Sequence, residues 1–328
     1  MRADVLQERY PVMRPDRETL RRWLKDYESA PKFSIKKTGI SLPRQGSKSL
    51  LSFLHYTPCE RYQGSCGNCW AWAGTAVMAI DLSVNESIAD RLSVQYINSC
   101  KSGIYACCGG NLAGVETFYT NNPQSIPWAN PNASYADAGR TCKSGSSFVS
   151  CGSISTSFNY PIVSISDLTI TTTGVSQTSA IANIKAMLNS NKAVWFGFFL
   201  ANNADWGTFY NFWDYNEETV LWDPDLYCGH TWVEDEGGGH AVLCVGYNDD
   251  DLDPAKHYWV ILNSWGTAGA GRPNGLYRMK MDIDYECMIS DPVEGDFYAL
   301  LWQTLNINWG DVEPRPVALP FLPLLLLN

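Results

Sequence analysis

Gln63-Gly64-Ser65-Cys66-Gly67-Asn68-Cys69-Trp70-Ala71-Trp72-Ala73 changes character in its middle. Glycines and small polar residues lead up to Cys69, and from Trp70 the chain turns apolar through Ala76, Val77, Met78, Ala79 and Ile80 to about Leu82. The pattern predicts a loop feeding a buried helix, with Cys69 at its first turn. Unpaired N–H groups and the dipole at a helix start favour an anion, so a thiol there is expected to ionise more readily than usual. A thiolate nucleophile needs a base and a group that orients the base. Both are on offer downstream: His240 in Gly239-His240-Ala241-Val242, and Asn263 in Asn263-Ser264-Trp265-Gly266.

A lone Cys-x-x-Cys is a weak signal, because redox pairs and zinc half-sites share it. Here it is one of four blocks in a fixed order: Gln63…Cys66-Gly67-Asn68-Cys69-Trp70, Cys107-Cys108-Gly109-Gly110, His240-Ala241-Val242 and Asn263-Ser264-Trp265-Gly266. On these blocks the chain resembles the papain-like cysteine peptidase family over roughly residues 42–290. The resemblance implies an α+β, two-lobed fold, with a helical N-terminal lobe, a β-rich barrel-like C-terminal lobe, a boundary near residue 158 and an active-site cleft between them.

The resemblance also implies roles. Cys69 is the nucleophile, His240 the base that later protonates the leaving amine, and Asn263 the partner of the far ring nitrogen. Gln63, six residues before Cys69, supplies the side-chain half of an oxyanion hole whose other donor is the Cys69 backbone N–H. Trp265 lies over the His–Asn contact and keeps water off it. Gly109 and Gly110 let an extended substrate backbone approach, and Asn111, Leu112 and Gly239 line the pocket for the second residue before the cut. Disulfides join Cys66 to Cys107, Cys100 to Cys142 or Cys151, and Cys228 to Cys287, with Cys59 and Cys108 unassigned. Cys244, in an apolar strand, reads as a free core thiol. With 11 cysteines, Cys69 and Cys244 free, parity requires a third unpaired thiol among the unassigned ones.

A net charge of −10 over 328 residues argues against a nucleic-acid partner. The cysteine content points to an oxidising compartment, extracellular, periplasmic, vacuolar or lysosomal, although no signal peptide opens the sequence. No membrane span is expected, since the apolar stretch 317–327 is too short and holds two prolines. No metal or cofactor is expected. Aspartates 249, 250, 251 and 253 lack the spacing of a calcium loop and read as a solvated hairpin tip. Asn85-Glu86-Ser87 and Asn132-Ala133-Ser134 are glycosylation sequons.

Residues 1–41 form an N-terminal leader, with Leu20, Trp23, Leu24 and Tyr27 on one face of a short helix and Pro15 suited to its first turn. In the resembling family such leaders inhibit by lying across the cleft. Residues 42–290 are the expected catalytic domain, Leu42-Pro43 the candidate start of the mature chain, and 291–328 a C-terminal extension. A second helix is expected over 92–97 with Ser93 as its cap, then a loop-rich, disulfide-held region over 98–157. Beyond it come strands at 164–173, 193–200, 240–247, 258–262 and 277–281, a helix at 179–189, and a long aromatic and acidic connection over 201–239. That connection either blocks one end of the cleft or packs on the surface.

The expected activity is that of a monomeric cysteine endopeptidase that hydrolyses proteins or peptides through a thioester acyl-enzyme and is made as a latent zymogen. A catalytically silent binding or structural relative, and an acyl-transfer enzyme on the same fold, are the alternatives.

Overall fold

The structure, a computed structural model, describes residues 10–38, 45–267 and 271–311. Leu42-Pro43, residues 268–270 and the apolar tail 317–327 lie outside the described residues. The principal helices are α1 (Arg17–Ser29), α2 (Cys69–Asn85), α3 (Val94–Cys100), α4 (Leu112–Asn121), α5 (Gln177–Asn189) and α6 (Asn203–Tyr215). The principal strands are β1 (Tyr160–Ile170), β2 (Val194–Leu200), β3 (Gly238–Asn248), β4 (Tyr258–Leu262), β5 (Leu276–Lys280) and β6 (Leu300–Trp309).

Helix α2 starts at Cys69, and every residue from there to Leu82 is buried. A helix without a polar face must be covered on all sides. Here α3 and α4 cover it from one side, and β2, β3 and β6 from the other. The sheet runs β1-β6-β2-β3-β4-β5, with neighbours antiparallel. Strand β2 is buried along its whole length, which explains its unbroken apolar sequence from Val194 to Leu200. The large mixed sheet with helices packed on it is the α+β papain-like architecture.

Two sequence expectations are corrected. No strand was expected beyond residue 281, and 291–328 was read as an extension, yet β6 forms there and pairs with β1 on one side and β2 on the other, inside the sheet. The sheet therefore draws on the chain as far as Trp309. The connection over 201–239 contains helix α6, started by Asn202, whose side chain accepts from the Ala204 and Asp205 N–H groups at 3.0 and 3.1 Å. Trp206, Phe209, Tyr210 and Trp213 recur at three- and four-residue spacing and are all buried.

The leader has two parts. Residues 10–15 run across the sheet end at β3, and α1 follows, capped by Asp16, whose carboxylate accepts from Thr19 N–H at 2.8 Å. Pro15 thus precedes the cap rather than entering the first turn. After α1, Lys32–Phe33 pairs in parallel with the end of β1. Asn183 ties Ile35 in, accepting its N–H at 2.9 Å while donating to the Thr171 carbonyl at 2.7 Å.

Disulfides join Cys66–Cys107, Cys100–Cys151, Cys108–Cys142 and Cys228–Cys287. Among the described residues Cys59, Cys69 and Cys244 are free. Three of the bridges staple the loop-rich region around α3 and α4, where long ladders are scarce. At the expected hairpin tip Asp250, Asp251 and Asp253 are exposed, but Asp249 is buried and paired with Lys185. Among the described residues no helix is long and apolar enough to cross a membrane.

Candidate active site

The start of α2 meets β3 and the turn after β4. Cys69 Sγ accepts from the Ala241 N–H at 3.4 Å, which sets the thiol beside the residue following His240. His240 Nε2 lies 2.8 Å from Asn263 Oδ1. The same Oδ1 accepts from the Ser264 N–H at 2.7 Å, so the amide oxygen faces the imidazole and Nε2 must carry the proton. Nδ1 is then the bare nitrogen, and it is buried with no hydrogen-bond partner among the described residues. Trp265 stacks on the imidazole, centroids 4.3 Å apart at 25°, and Phe198 closes on it edgewise at 5.7 Å.

Gln63 is wholly buried and fixed at both ends of its amide. Its Oε1 accepts from the Ser264 hydroxyl at 2.7 Å, which leaves Nε2 to donate to the Cys66 carbonyl at 2.8 Å and to the Pro11 carbonyl at 3.3 Å. The second of these acceptors belongs to the leader.

The leader segment covers the whole constellation. Met13 and Gly239 exchange both backbone hydrogen bonds, at 2.8 and 2.9 Å. The Gly110 N–H points to Met13 Sδ at 3.4 Å. A Cβ on Gly109, where φ is +103°, would stand 2.8 Å from Trp23 of α1 and 3.1 Å from Met13 Cβ. Gly110 lies flat on Trp70, where a Cβ would come within 2.6 Å of the indole. Asn111 caps α4 and donates to Asp26 of the leader at 2.9 Å. Leu112 is fully buried in the hydrophobic core. Tyr10 stacks on Trp265 at 4.9 Å, and Arg14 donates to the Gly237 carbonyl and the Asn203 side chain, both at 3.2 Å.

Burial governs the ionisation of the pair. Burial pushes the Cys69 thiol up to about 12, overriding the N–H groups of Ala241 and of the helix start that pull the other way. Burial takes His240 down to about 3, against the opposing hydrogen bond that its Nε2–H donates to Asn263. The expectation of a readily ionised thiol is corrected for the covered state: desolvation outweighs the helix terminus.

Two contributors were not legible in the motifs. Arg61 is buried and donates through Nε to the Asn263 carbonyl at 2.9 Å, fixing the backbone at Asn263. Ser264 links Asn263 to Gln63 through its backbone and its hydroxyl. Neither residue type is diagnostic in sequence, and only the fold brings positions 61–63 against 263–264.

The sequence pattern of the papain family cysteine proteases matches residues 56–197 and 208–295, more than half of the chain. This chain belongs to the papain family of cysteine proteases. It is similar to cathepsin B-like CP3 of Giardia intestinalis, 27% identical over 251 residues that span 74% of this chain and 71% of that protein. Cathepsin B-like cysteine proteinase 4 of Caenorhabditis elegans is 25% identical over 254 residues, 72% of this chain and 69% of its own length. Among solved structures, the proform of the ragweed pollen cysteine protease Amb a 11 superposes with a TM-score of 0.61 at 17% identity, over 94% of this chain and 77% of that one. Digestive procathepsin L2 from Tenebrio molitor gives a TM-score of 0.56 at 16% identity, over 90% and 84%. These structures share the fold. Family membership makes the chain a cysteine peptidase, and its disulfides fit an oxidising compartment.

Proposed function

We propose that this papain-family peptidase is an endopeptidase held latent by its own N-terminal leader, with Cys69 as nucleophile, His240 as base and acid, Asn263 as orienter and Gln63 as oxyanion donor. The observation that carries the reading is the Pro11 carbonyl on Gln63 Nε2, at the donor that a tetrahedral oxyanion would use.

With the leader displaced, water and charge return to the cleft. His240 Nδ1 takes the Cys69 proton, and the thiolate attacks the scissile carbonyl carbon. The new oxyanion is stabilised by Gln63 Nε2 and the Cys69 N–H. The tetrahedral intermediate collapses with rupture of the C–N bond, and the imidazolium gives its proton to the departing amine. A water molecule, deprotonated by His240, then attacks the thioester carbonyl and releases the acid and the thiol. Asn263 holds Nε2–H throughout, so the ring keeps its tautomer. Trp265 excludes water from that contact, which strengthens it.

Latency has two physical sources. The leader fills the cleft, and by burying the pair it also favours neutral thiol and neutral imidazole over the ion pair. The leader also runs against the direction of a substrate. Its N-terminal Tyr10 stacks on Trp265, which covers His240 on the leaving-amine side, while its later Met13 bridges Gly239 and the Gly110 N–H. A substrate enters in the opposite sense, its acyl part N-terminal. The mature enzyme would work outside the cytosol, in a secreted or lysosome-like compartment.

The test is turnover of an unfolded protein by the full chain before and after limited proteolysis of its leader, with Cys69→Ala as control. Internal cleavage only after processing, and none by Cys69→Ala, is the expected result. Products carrying an added amine in place of water would move the reading to acyl transfer. Processed chain without turnover would move it to a silent relative.

A further inference from the structure

Helix α6 does more than fill space beside the cleft. Its Tyr210 lies 5.8 Å from the Trp265 ring, and its Phe209 and Trp213 meet Trp265 edgewise at 5.7 and 5.9 Å. The C-terminal end of the helix is held by Arg272, wholly buried, which donates to the Phe212 and Trp213 carbonyls at 3.0 Å each and stacks over both rings. A cation on the last carbonyls of a helix is favourably placed against its dipole. The helix therefore presents its side chains to the cleft from a fixed base.

The phenol of Tyr10 packs against both Trp265 and Tyr210, the three rings in mutual contact. Its ring is stacked on Trp265 at 27° and sits 6.0 Å from Tyr210, and its hydroxyl donates to the buried carboxylate of Asp214. Tyr10 precedes Pro11, whose carbonyl occupies the oxyanion donor, and it lies over the tryptophan that covers His240. His240 must hand its proton to the leaving amine, so the phenol marks the leaving-group side, one residue from the bond to be cut.

We propose that α6 and Trp265 build a subsite that selects tyrosine as the first residue after the cut, with Asp214 as the specificity-determining residue. The proposal rests on the peptidase reading given above. Stacking accepts any flat ring, whereas the carboxylate at the end of the slot rewards a ring that carries a donor. A site built around a hydroxyl discriminates against the analogue lacking it, because a buried polar group is then left with a lost partner. The leader fills the same slot with its own tyrosine and so holds the subsite closed in the latent chain.

The test uses enzyme released from the full chain and peptides identical except for the residue after the cut, taken as Tyr, Phe, O-methyltyrosine or Leu. The tyrosine peptide is expected to exceed the phenylalanine peptide in kcat/KM by about tenfold or more. O-methyltyrosine is expected to fall to the phenylalanine level, which checks the hydroxyl without any change to the protein. Asp214→Leu, which removes the acceptor at similar volume, should bring the Tyr-to-Phe ratio towards one. Cleavage of the leucine peptide with a wild-type Tyr-to-Phe ratio near one overturns the subsite and leaves the peptidase standing, as does an unchanged ratio in a folded Asp214→Leu enzyme. Absence of cleavage of every peptide, with Cys69 unreactive, defeats the peptidase reading and the subsite together.

Discussion

The two parts of the leader touch the enzyme in different ways. Residues 10–15 cross the cleft with a backbone bridge at Gly239 and contacts on Gln63, Gly110, Trp265, Asp214, Gly237 and Asn203, and Tyr10, Val12 and Met13 are buried there. Residues 17–38 are built into the body: Leu20, Trp23, Tyr27, Ala30, Phe33 and Ile35 are buried, and Lys32–Phe33 extends the sheet at β1. Thr169 donates from its N–H to the Pro31 carbonyl at 2.8 Å and from its hydroxyl to the Tyr27 carbonyl at 2.9 Å. Both parts reach the core, the first across the proposed active site and the second through a helix and an added strand. The proposed function requires the first, an inhibitory plug, to leave without unfolding the body, while the second stays as a brace.

The largest effect should follow from removing the plug alone. In a chain beginning at Arg17, alkylation of Cys69 at pH 7 is expected to rise at least about a thousandfold over the full chain. The full chain keeps its thiol protonated until pH approaches about 12, so its rate should climb with pH throughout the accessible range, while the opened chain should level off near neutrality. Stopped alkylation kinetics across pH check both. A similar neutral-pH rate in the two chains would erase the plug.

Next comes Gln63→Ala in the opened enzyme, expected to lower kcat by about 10²–10³ in the folded fraction, with about 1–3 kcal/mol of stability lost as the Ser264 hydroxyl and Cys66 carbonyl lose a partner. An unchanged kcat per folded molecule would mean that Gln63 matters as a tie between the two loops and not as a donor.

The brace is sharpened by pairing substitutions. Phe33→Ala should cost about 3 kcal/mol or more in urea unfolding of the full chain. Met13→Ala should raise the basal activity of the unprocessed chain while costing less stability, since only the cleft segment loses packing. If both lower global stability alike, the two parts are one unit. The smallest effect is expected for Arg21→Ala, whose ion pair with Glu294 is solvent-exposed: a urea midpoint barely displaced from that of the full chain, and less so at high salt.

Much of the site could be read in the sequence because each piece sits in a short local pattern. The switch at Cys69 from glycine and small polar residues to an apolar run is a helix start, and α2 begins there. Ser93 as a helix cap was legible for the same reason, and its hydroxyl accepts from Tyr96 N–H at 3.0 Å. What was missed depended on long-range pairing or on a period left uncounted. Strand β6 reads as one more apolar run near the end, and nothing local says that it enters between β1 and β2. The α6 pattern at 206, 209, 210 and 213 was present, hidden by the density of aromatics around it. The shifted ionisation of Cys69 and His240 was beyond local reading, because it arises from burial in the assembled fold.

The most direct test of the account is to treat the full chain, and the chain beginning at Arg17, with an irreversible thiol-directed peptidyl epoxide and to locate the adduct by peptide mass spectrometry. The account predicts an adduct on Cys69 in the shortened chain and none in the full one. An unlabelled Cys69 in a folded, reduced, shortened chain, or equal labelling of both chains, would contradict it.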